Sequence, residues 1–150
     1  MLNGMEIRPF RLTDREPCLA VFDSIAPEGP DSARAEYESY LDAHGSSYYV
    51  VEHEGAVVGC GGFRVEPKDS SARLEWAMVR KDLQRQGLGR YLLMYRLKEI
   101  AKVPGVLFVE ARVPDRLSNF YDKNGLKLQG SAPLDGFTDH RMKLQVCSAG

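Results

Sequence analysis

A glycine-containing turn between an apolar strand and an amphipathic helix constrains this chain more than any other feature. The turn reads Gln84-Arg85-Gln86-Gly87-Leu88-Gly89, and Arg90 follows it. Apolar residues then recur at three- and four-residue spacing, a pattern that predicts a helix ending near Pro104. The first turn of a helix has backbone N–H groups without internal partners, and glycine leaves them uncovered. The sequence therefore predicts an anion-binding turn.

A second motif lies downstream and reads Phe120-Tyr121-Asp122-Lys123-Asn124-Gly125-Leu126. With both motifs in this order, the sequence resembles the GNAT superfamily of N-acetyltransferases. The glycine turn is similar to the acetyl-CoA signature of that family, and the second segment is similar to its Phe-Tyr-Glu-Lys-x-Gly-Phe motif, with Leu126 in place of the last Phe. The resemblance covers the chain from Met5 to Val146.

Periodicity and turn residues give the element order β-α-α-β-β-β-α-β-α-β-β. The resemblance implies an α/β fold of three layers (α/β/α), with a mixed, mostly antiparallel seven-stranded sheet and four helices. We expect a single domain over residues 5–146, after a short N-terminal leader at 1–4 and before a C-terminal tail at 147–150. The resemblance also implies that the fourth and fifth strands splay apart, where the pantetheine arm of coenzyme A enters.

Local patterns predict several details of the elements. The segment Thr13–Glu16 has the pattern of a capping box, which predicts Thr13 as the N-cap of the first helix. Glycines at 59, 61 and 62 inside the third strand predict a bulge or close packing of another backbone. A loop containing Pro133, Asp135 and Gly136 is predicted to join the last two strands.

Composition excludes several classes of function. The net charge of −1 gives no basic excess for nucleic acid binding, and no apolar run is long enough to cross a bilayer. The N-terminus lacks the pattern of a signal peptide, and the cysteines at 18, 60 and 147 have no metal-binding spacing. We therefore expect a cytoplasmic protein without a metal, a membrane or a nucleic acid partner.

The resemblance implies where acetyl-CoA would bind. Main-chain donors of the turn would hold the pyrophosphate, and the backbone of Met78 and Val79 would pair with the pantetheine amides like an added strand. Many relatives carry an Asn seven residues before the motif Tyr, but Pro114 stands there, and Asn119 is the candidate substitute. The candidate cofactor-binding residues are therefore Met78, Val79, Gln84, Arg85, Gln86, Gly87, Leu88, Gly89, Arg90 and Asn119. The alternative is a helix start that binds nothing.

The motif match makes Tyr121 the candidate general acid. In relatives, the corresponding Tyr lies close to the thioester sulfur. A phenol (pKa about 10) is a weaker acid than a thiol (pKa about 8.5), so such a residue acts largely by hydrogen bonding the departing thiolate. The alternative is a half-buried tyrosine that only packs its helix against the sheet.

Glu75 is the candidate general base. Relatives often carry a carboxylate with this role on the fourth strand, and Glu75 lies on that strand between apolar neighbours. The alternative is an outward-facing residue paired with Arg73 or Arg112. Glu110 on the next strand is the second candidate, and water is a further alternative. Two weaker candidates follow on the last strand, Asp139 and His140.

The acceptor is the least constrained part of the prediction. The resemblance implies a groove formed by the first two helices, their loop and the end of the sheet. These regions contain Pro27, Glu28, Gly29, Pro30, Tyr37, Tyr40, Asp135, Phe137 and Asp139. Carboxylates and aromatic rings suit a cationic amine. A polyamine, an amino acid, a peptide terminus and an aminoglycoside all remain open.

The sequence thus predicts an N-acetyltransferase that moves acetyl from acetyl-CoA to a primary amine of a small molecule or peptide by direct attack. No acetyl-enzyme is expected, because Cys60 has no His or Asp partner recognisable in the sequence. The alternative function is an acyl-CoA-binding module or sensor without turnover, against which Tyr121 argues. A nucleotide-binding module is a weaker alternative, since no Walker motif is present. A homodimer stays open.

Overall fold

The structure is a computed structural model of the chain and describes residues 4–25, 31–43, 47–134 and 137–146. Within these ranges, the side chains of residues 31, 115, 116 and 132–139 are not described. No helix in the described ranges has the length and apolarity needed to cross a membrane.

The predicted order of elements is confirmed. In chain order the elements are β1 (Met5–Pro9), α1 (Arg15–Ile25), α2 (Asp31–Ala43), β2 (Tyr48–His53), β3 (Ala56–Glu66), β4 (Ser71–Val79), α3 (Leu88–Ala101), β5 (Phe108–Pro114), α4 (Asp115–Lys123), β6 (Lys127–Leu134) and β7 (Phe137–Gln145).

The described strands form one seven-stranded sheet in the order β1-β2-β3-β4-β5-β7-β6. Of the pairings with a described register, β4–β5 is parallel and the others are antiparallel. The parallel pair is joined by α3, because parallel neighbours need a crossover connection. The mixed, mostly antiparallel sheet and the four helices confirm the predicted fold class.

The chain divides into two compact units. The first unit comprises Met1–Gly62 and Trp76–Arg96, and the second comprises Phe63–Glu75 and Leu97–Gly150. In the first unit, the apolar side of α1 packs into a core that consists of Phe10, Cys18, Leu19, Val21, Phe22, Tyr37, Leu41, Tyr48, Val50, Cys60 and Met78. In the second unit, β5 alternates, with Val109, Ala111 and Val113 buried and the residues between them more exposed.

The predicted glycine packing in β3 is confirmed within the first unit. A Cβ atom on Gly62 would stand 2.3 Å from the carbonyl oxygen of Ser47, and one on Gly59 would stand 3.2 Å from that of Met78. The β2–β3 register also shifts beside Val51, as a bulge does. Only glycine therefore fits at position 62 without moving the backbone.

Two local predictions were wrong. Thr13 is not the cap of α1: a 3-10 turn at Leu12–Asp14 precedes the helix, and the Asp14 carboxylate accepts the Arg11 N–H at 2.7 Å. Arg8 binds that carboxylate, which fixes it over the turn. Pro133 lies in β6 rather than in a loop, because β6 is an edge strand that tolerates proline. Residues 135 and 136 lie outside the described ranges.

Candidate active site

The predicted anion-binding turn directly follows β4. The Arg80 N–H donates to the Val58 carbonyl at 2.8 Å, and a 3-10 turn at Lys81–Leu83 then leads to Gln84. The Tyr91 N–H binds the Gly87 carbonyl at 3.0 Å, so Gly87 immediately precedes the first turn of α3. The N–H groups at positions 88–90 therefore lack partners inside the helix. The predicted helix start is confirmed.

The turn is open and positively charged. Arg85 and Gly87 have φ values of 65° and 86°, and a Cβ atom on Gly87 would meet nothing within 4 Å. Arg85 and Arg90 are exposed and form no ion pair with any described residue. The first turn of α3 contains no acidic residue. Open main-chain donors and two exposed cations in one turn suit a phosphate group.

Gln84 ties the turn to the end of β4. Its Nε2 donates to the Val79 carbonyl at 3.1 Å, so this side chain is engaged by the protein itself. The open donors of the turn are the main-chain N–H groups at positions 88–90. The Val79 carbonyl, predicted to pair with pantetheine, therefore already accepts one hydrogen bond and keeps one lone pair. The adjacent Met78 side chain is buried, with 8% exposed.

An irregularity in β4 precedes Met78, and sequence reasoning missed it. Trp76 has a φ of 46°, and its carbonyl accepts a 2.8 Å hydrogen bond from the Tyr48 hydroxyl. The Tyr37 hydroxyl lies 2.8 Å from that of Tyr48 and 3.2 Å from Cys60 Sγ. Burial raises the pKa of both tyrosines, so these hydroxyls stay protonated.

In the second unit, the pairing of β4 with β5 is short. It joins Ser71–Arg73 to Phe108–Glu110 and includes no residue beyond Arg73, although β5 continues to Pro114 alongside β7. Leu74 and Glu75 are thus unpaired with β5. These are the two strands for which the resemblance implies a splay, and their pairing ends at Arg73.

Tyr121 projects from α4 in the second unit. Its side chain is 7% exposed, and its ring packs edge-on against Phe120 with centroids 5.1 Å apart. The hydroxyl has no hydrogen-bond partner among the described residues, so it is available to a ligand. Asn119 is exposed on the same helix, and Pro114 occupies its N-cap position.

The two candidate bases are both half-buried and lie near cations. Glu75 Oε2 is 3.5 Å from Arg64 Nη2, so its partner is neither Arg73 nor Arg112. Glu110 Oε1 is 4.0 Å from Lys143 Nζ. Their side chains are 14% and 24% exposed, so neither carboxylate is a freely solvated surface group.

The weaker candidates have other contacts. His140 Nδ1 lies 2.8 Å from Ser131 Oγ across the β6–β7 pair. Asp139 stands opposite Pro114 in register, but its side chain is not described. Cys60 is fully buried beside Tyr37, and no described group of three or more His, Cys, Asp or Glu residues is arranged to hold a metal.

The predicted acceptor residues differ in their exposure to solvent. Tyr37 has no exposed surface, because it stacks on Phe22 and packs against Trp76, so it cannot line a groove. Tyr40 is half-buried and also contacts Trp76. Residues 27–30 and Asp135 lie outside the described ranges, as does the side chain of Phe137.

Comparison with known proteins decides the family. The sequence model of the Acetyltransferase (GNAT) family matches residues 14–126, which include both motifs. The chain belongs to the GNAT family. This GNAT protein is therefore an acyltransferase, as the motifs predict. No curated protein sequence matches it.

Solved structures share the GNAT fold. The ribosomal-protein-S18-alanine N-acetyltransferase from Escherichia coli is 24% identical with a TM-score of 0.78, and the match covers 97% of this chain and 96% of that one. The PaiA N-acetyltransferase from Thermoplasma acidophilum, in complex with coenzyme A, is 18% identical with a TM-score of 0.71, over 95% and 99% of the two chains. An aminoglycoside 6′-N-acetyltransferase complexed with coenzyme A is 17% identical with a TM-score of 0.76, over 93% and 96%.

Proposed function

We propose that this GNAT protein transfers the acetyl group of acetyl-CoA to a primary amine of a small molecule or peptide, by direct attack. The observation that carries the proposal is the open turn at Gly87, where free helix N–H groups share the turn with two arginines that form no ion pair with a described residue. That arrangement suits the pyrophosphate of a CoA thioester. Coenzyme A bound to structures of the same fold supports the choice of ligand.

The reaction joins the amine nitrogen to the acetyl carbon and breaks the carbon–sulfur bond. Acetyl-CoA supplies the activated carbonyl when it is bound. In our proposal, the free hydroxyl of Tyr121 hydrogen bonds the departing sulfur and delivers a proton to it. The buried position of this tyrosine supports the role, since a hydrogen bond is stronger away from water.

The amine must be neutral to attack. An α-amino group with a pKa near 8 is about one-tenth neutral at pH 7, whereas a lysine amine with a pKa near 10.4 needs about 4.6 kcal/mol to lose its proton. We propose Glu75 as the base, with Glu110 as the alternative carboxylate and water as the third route. Both carboxylates are half-buried, which supports either role.

No acetyl-enzyme is proposed. Cys60 is fully buried, and its sulfur contacts a tyrosine hydroxyl instead of a histidine. A nucleophilic thiol needs exposure and an adjacent base. The described residues therefore favour a single transfer to the amine. We propose that the enzyme is cytoplasmic.

The test incubates the protein with acetyl-CoA and a panel of amines that includes polyamines, amino acids, peptides and aminoglycosides. Mass spectrometry then identifies any acetylated amine, and calorimetry measures CoA binding in parallel. We expect CoA binding and one acetylated class of amine. Binding without any acetylated product would overturn transfer and leave a CoA-binding module, and absence of CoA binding would overturn the assignment of the turn.

A further inference from the structure

The registers of β4, β5 and β7 place a set of charged residues on one sheet face of the second unit. Arg73 pairs with Glu110, Glu110 pairs with Lys143, and Arg112 pairs with Arg141. Residues paired across strands share a face, and so do residues two apart along a strand. These five residues therefore lie on the sheet face opposite the buried side chains of β5. We call this set the arginine face; it consists of Arg73, Glu110, Arg112, Arg141 and Lys143.

The arginine face has an excess of positive charge. Its carboxylate, Glu110, has Lys143 as a neighbour at 4.0 Å, and Glu75, two residues from Arg73 on β4, is paired with Arg64 at 3.5 Å. Arg73, Arg112 and Arg141 form no ion pair with any described residue. Three guanidinium groups therefore lack a counter-charge among the described side chains, although the whole chain has a net charge of −1.

The Arg112–Arg141 pair is unfavourable for the fold by itself. Like charges directly opposite each other on neighbouring strands destabilise a sheet. Both side chains are exposed, and Arg141 Nη2 lies 3.5 Å from where a Cβ atom of Gly130 would stand, so its guanidinium extends over β6. A local loss of fold stability without a compensating contact is expected where residues bind a ligand. Guanidinium groups bind carboxylates through paired hydrogen bonds.

We propose that the arginine face binds carboxylate groups of the acceptor, so that the amine substrate is an acidic molecule. This inference rests on the proposed transfer to an amine. Glu110, a candidate base, is two residues from Arg112, a rise of about 7 Å along the strand. One face thus offers a carboxylate for the acceptor's ammonium group and arginines for its carboxylate. The acceptor that supplies this carboxylate is either a small amine with carboxylate groups or an acidic peptide.

Binding measured without acetyl-CoA tests the arginine face independently of transfer. The probes are glutarate and an N-acetylated peptide of alternating Glu and Gly residues, with the Gln peptide as the neutral control. The variant is Arg112→Gln/Arg141→Gln. The matched control is Lys68→Gln/Lys98→Gln, which removes two exposed charges that form no ion pair with described residues of the same unit. Thermal unfolding checks that both variants are folded.

We expect wild type to bind an acidic probe and the arginine variant to bind it about tenfold more weakly, while the lysine variant stays close to wild type. Binding of glutarate identifies a small carboxylate as the ligand class, and binding of the peptide alone identifies an acidic segment. Absence of binding by wild type, or equal weakening in both double variants, overturns the proposal.

The transferase assay then tests whether the bound probe occupies the acceptor position. We expect the probe to compete with the amine and not with acetyl-CoA. Competition with acetyl-CoA instead would overturn the acceptor assignment. Absence of transfer with every amine would contradict the proposed function, whereas the binding result for the arginine face would be unaffected.

Discussion

The Tyr48 hydroxyl donates a 2.8 Å hydrogen bond to the carbonyl of Trp76, a residue whose φ of 46° is left-handed. A left-handed conformation costs a residue with a side chain about 1–2 kcal/mol. The hydroxyl of Tyr37 lies 2.8 Å from that of Tyr48. Burial keeps both phenols protonated, because it raises the pKa of each. This hydroxyl pair therefore stabilises the irregular part of β4 just before Met78.

Removal of the Tyr48 hydroxyl should lower stability. Tyr48→Phe leaves the partly buried Trp76 carbonyl without this donor, so we expect a loss of about 1–3 kcal/mol in the free energy of unfolding, measured with urea. Tyr95→Phe is the control, since the Tyr95 hydroxyl makes no hydrogen bond with a described residue, and its cost should be below about 0.5 kcal/mol. Equal losses in the two variants would contradict this role of Tyr48.

A carboxylate in the glycine turn should abolish CoA binding. Gly87→Glu introduces a negative charge where the phosphate is proposed to bind, and we expect calorimetry to show at least about 100-fold weaker binding. Gly105→Glu is a matched control, because Gly105 has a φ of 84° against 86° for Gly87 and a Cβ at either would meet nothing within 4 Å. Unchanged affinity in Gly87→Glu would refute the turn as the phosphate site.

Loss of the Tyr121 hydroxyl should slow the chemistry and spare binding. Tyr121→Phe keeps the ring contact with Phe120, so we expect kcat to fall by about 100-fold while the affinity for CoA stays near that of wild type. Steady-state kinetics and calorimetry together separate the two effects. Tyr95→Phe again serves as the control. A wild-type kcat in Tyr121→Phe would exclude the general-acid role.

The pH dependence of carboxylate variants should identify the base. More of the amine is protonated at low pH, so loss of the base should reduce kcat/KM most at the acid end of the profile. We expect the kcat/KM of Glu75→Gln to be at least about tenfold below that of wild type at the acid end. Glu66→Gln is the control, because Glu66 also pairs with Arg64, at 3.1 Å. If Glu75→Gln has the wild-type profile and Glu110→Gln does not, the base is Glu110.

Asp14 should make stability sensitive to acid. Its hydrogen bonds from Arg8 lower the pKa of this buried carboxyl below its ordinary value. The stabilisation is therefore complete above about pH 4 and is lost as the pH falls through the lowered pKa. Asp14→Asn should cost about 1–3 kcal/mol at pH 7, with a smaller difference from wild type near pH 2. A pH-independent difference in urea unfolding would contradict this linkage.

The features that could be predicted from the sequence arise from local chemistry. The start of α3 follows from glycine conformational freedom and from apolar spacing, and both are visible within a few residues. The same is true of the close packing at Gly62, where a side chain has no room. Motif order then identified the family, because both segments matched.

The features that could not be predicted depend on partners far apart in the sequence. Trp76 is left-handed and is held by Tyr48, 28 residues earlier. Thr13 does not cap the first helix, because a 3-10 turn precedes that helix, and the Asp14 carboxylate, which Arg8 on β1 fixes, accepts the Arg11 N–H of that turn. Glu75 meets Arg64 on β3, a contact that strand register decides and residue type does not.

The measurement that tests the central claim most directly is the rate of thiol release from acetyl-CoA, followed spectrophotometrically with and without a primary amine. We predict release that depends on the amine, saturates with its concentration and is lost in Gly87→Glu but retained in Gly105→Glu. Release at the same rate without any amine, or no release across the whole panel, would contradict transfer of acetyl to an amine by this protein.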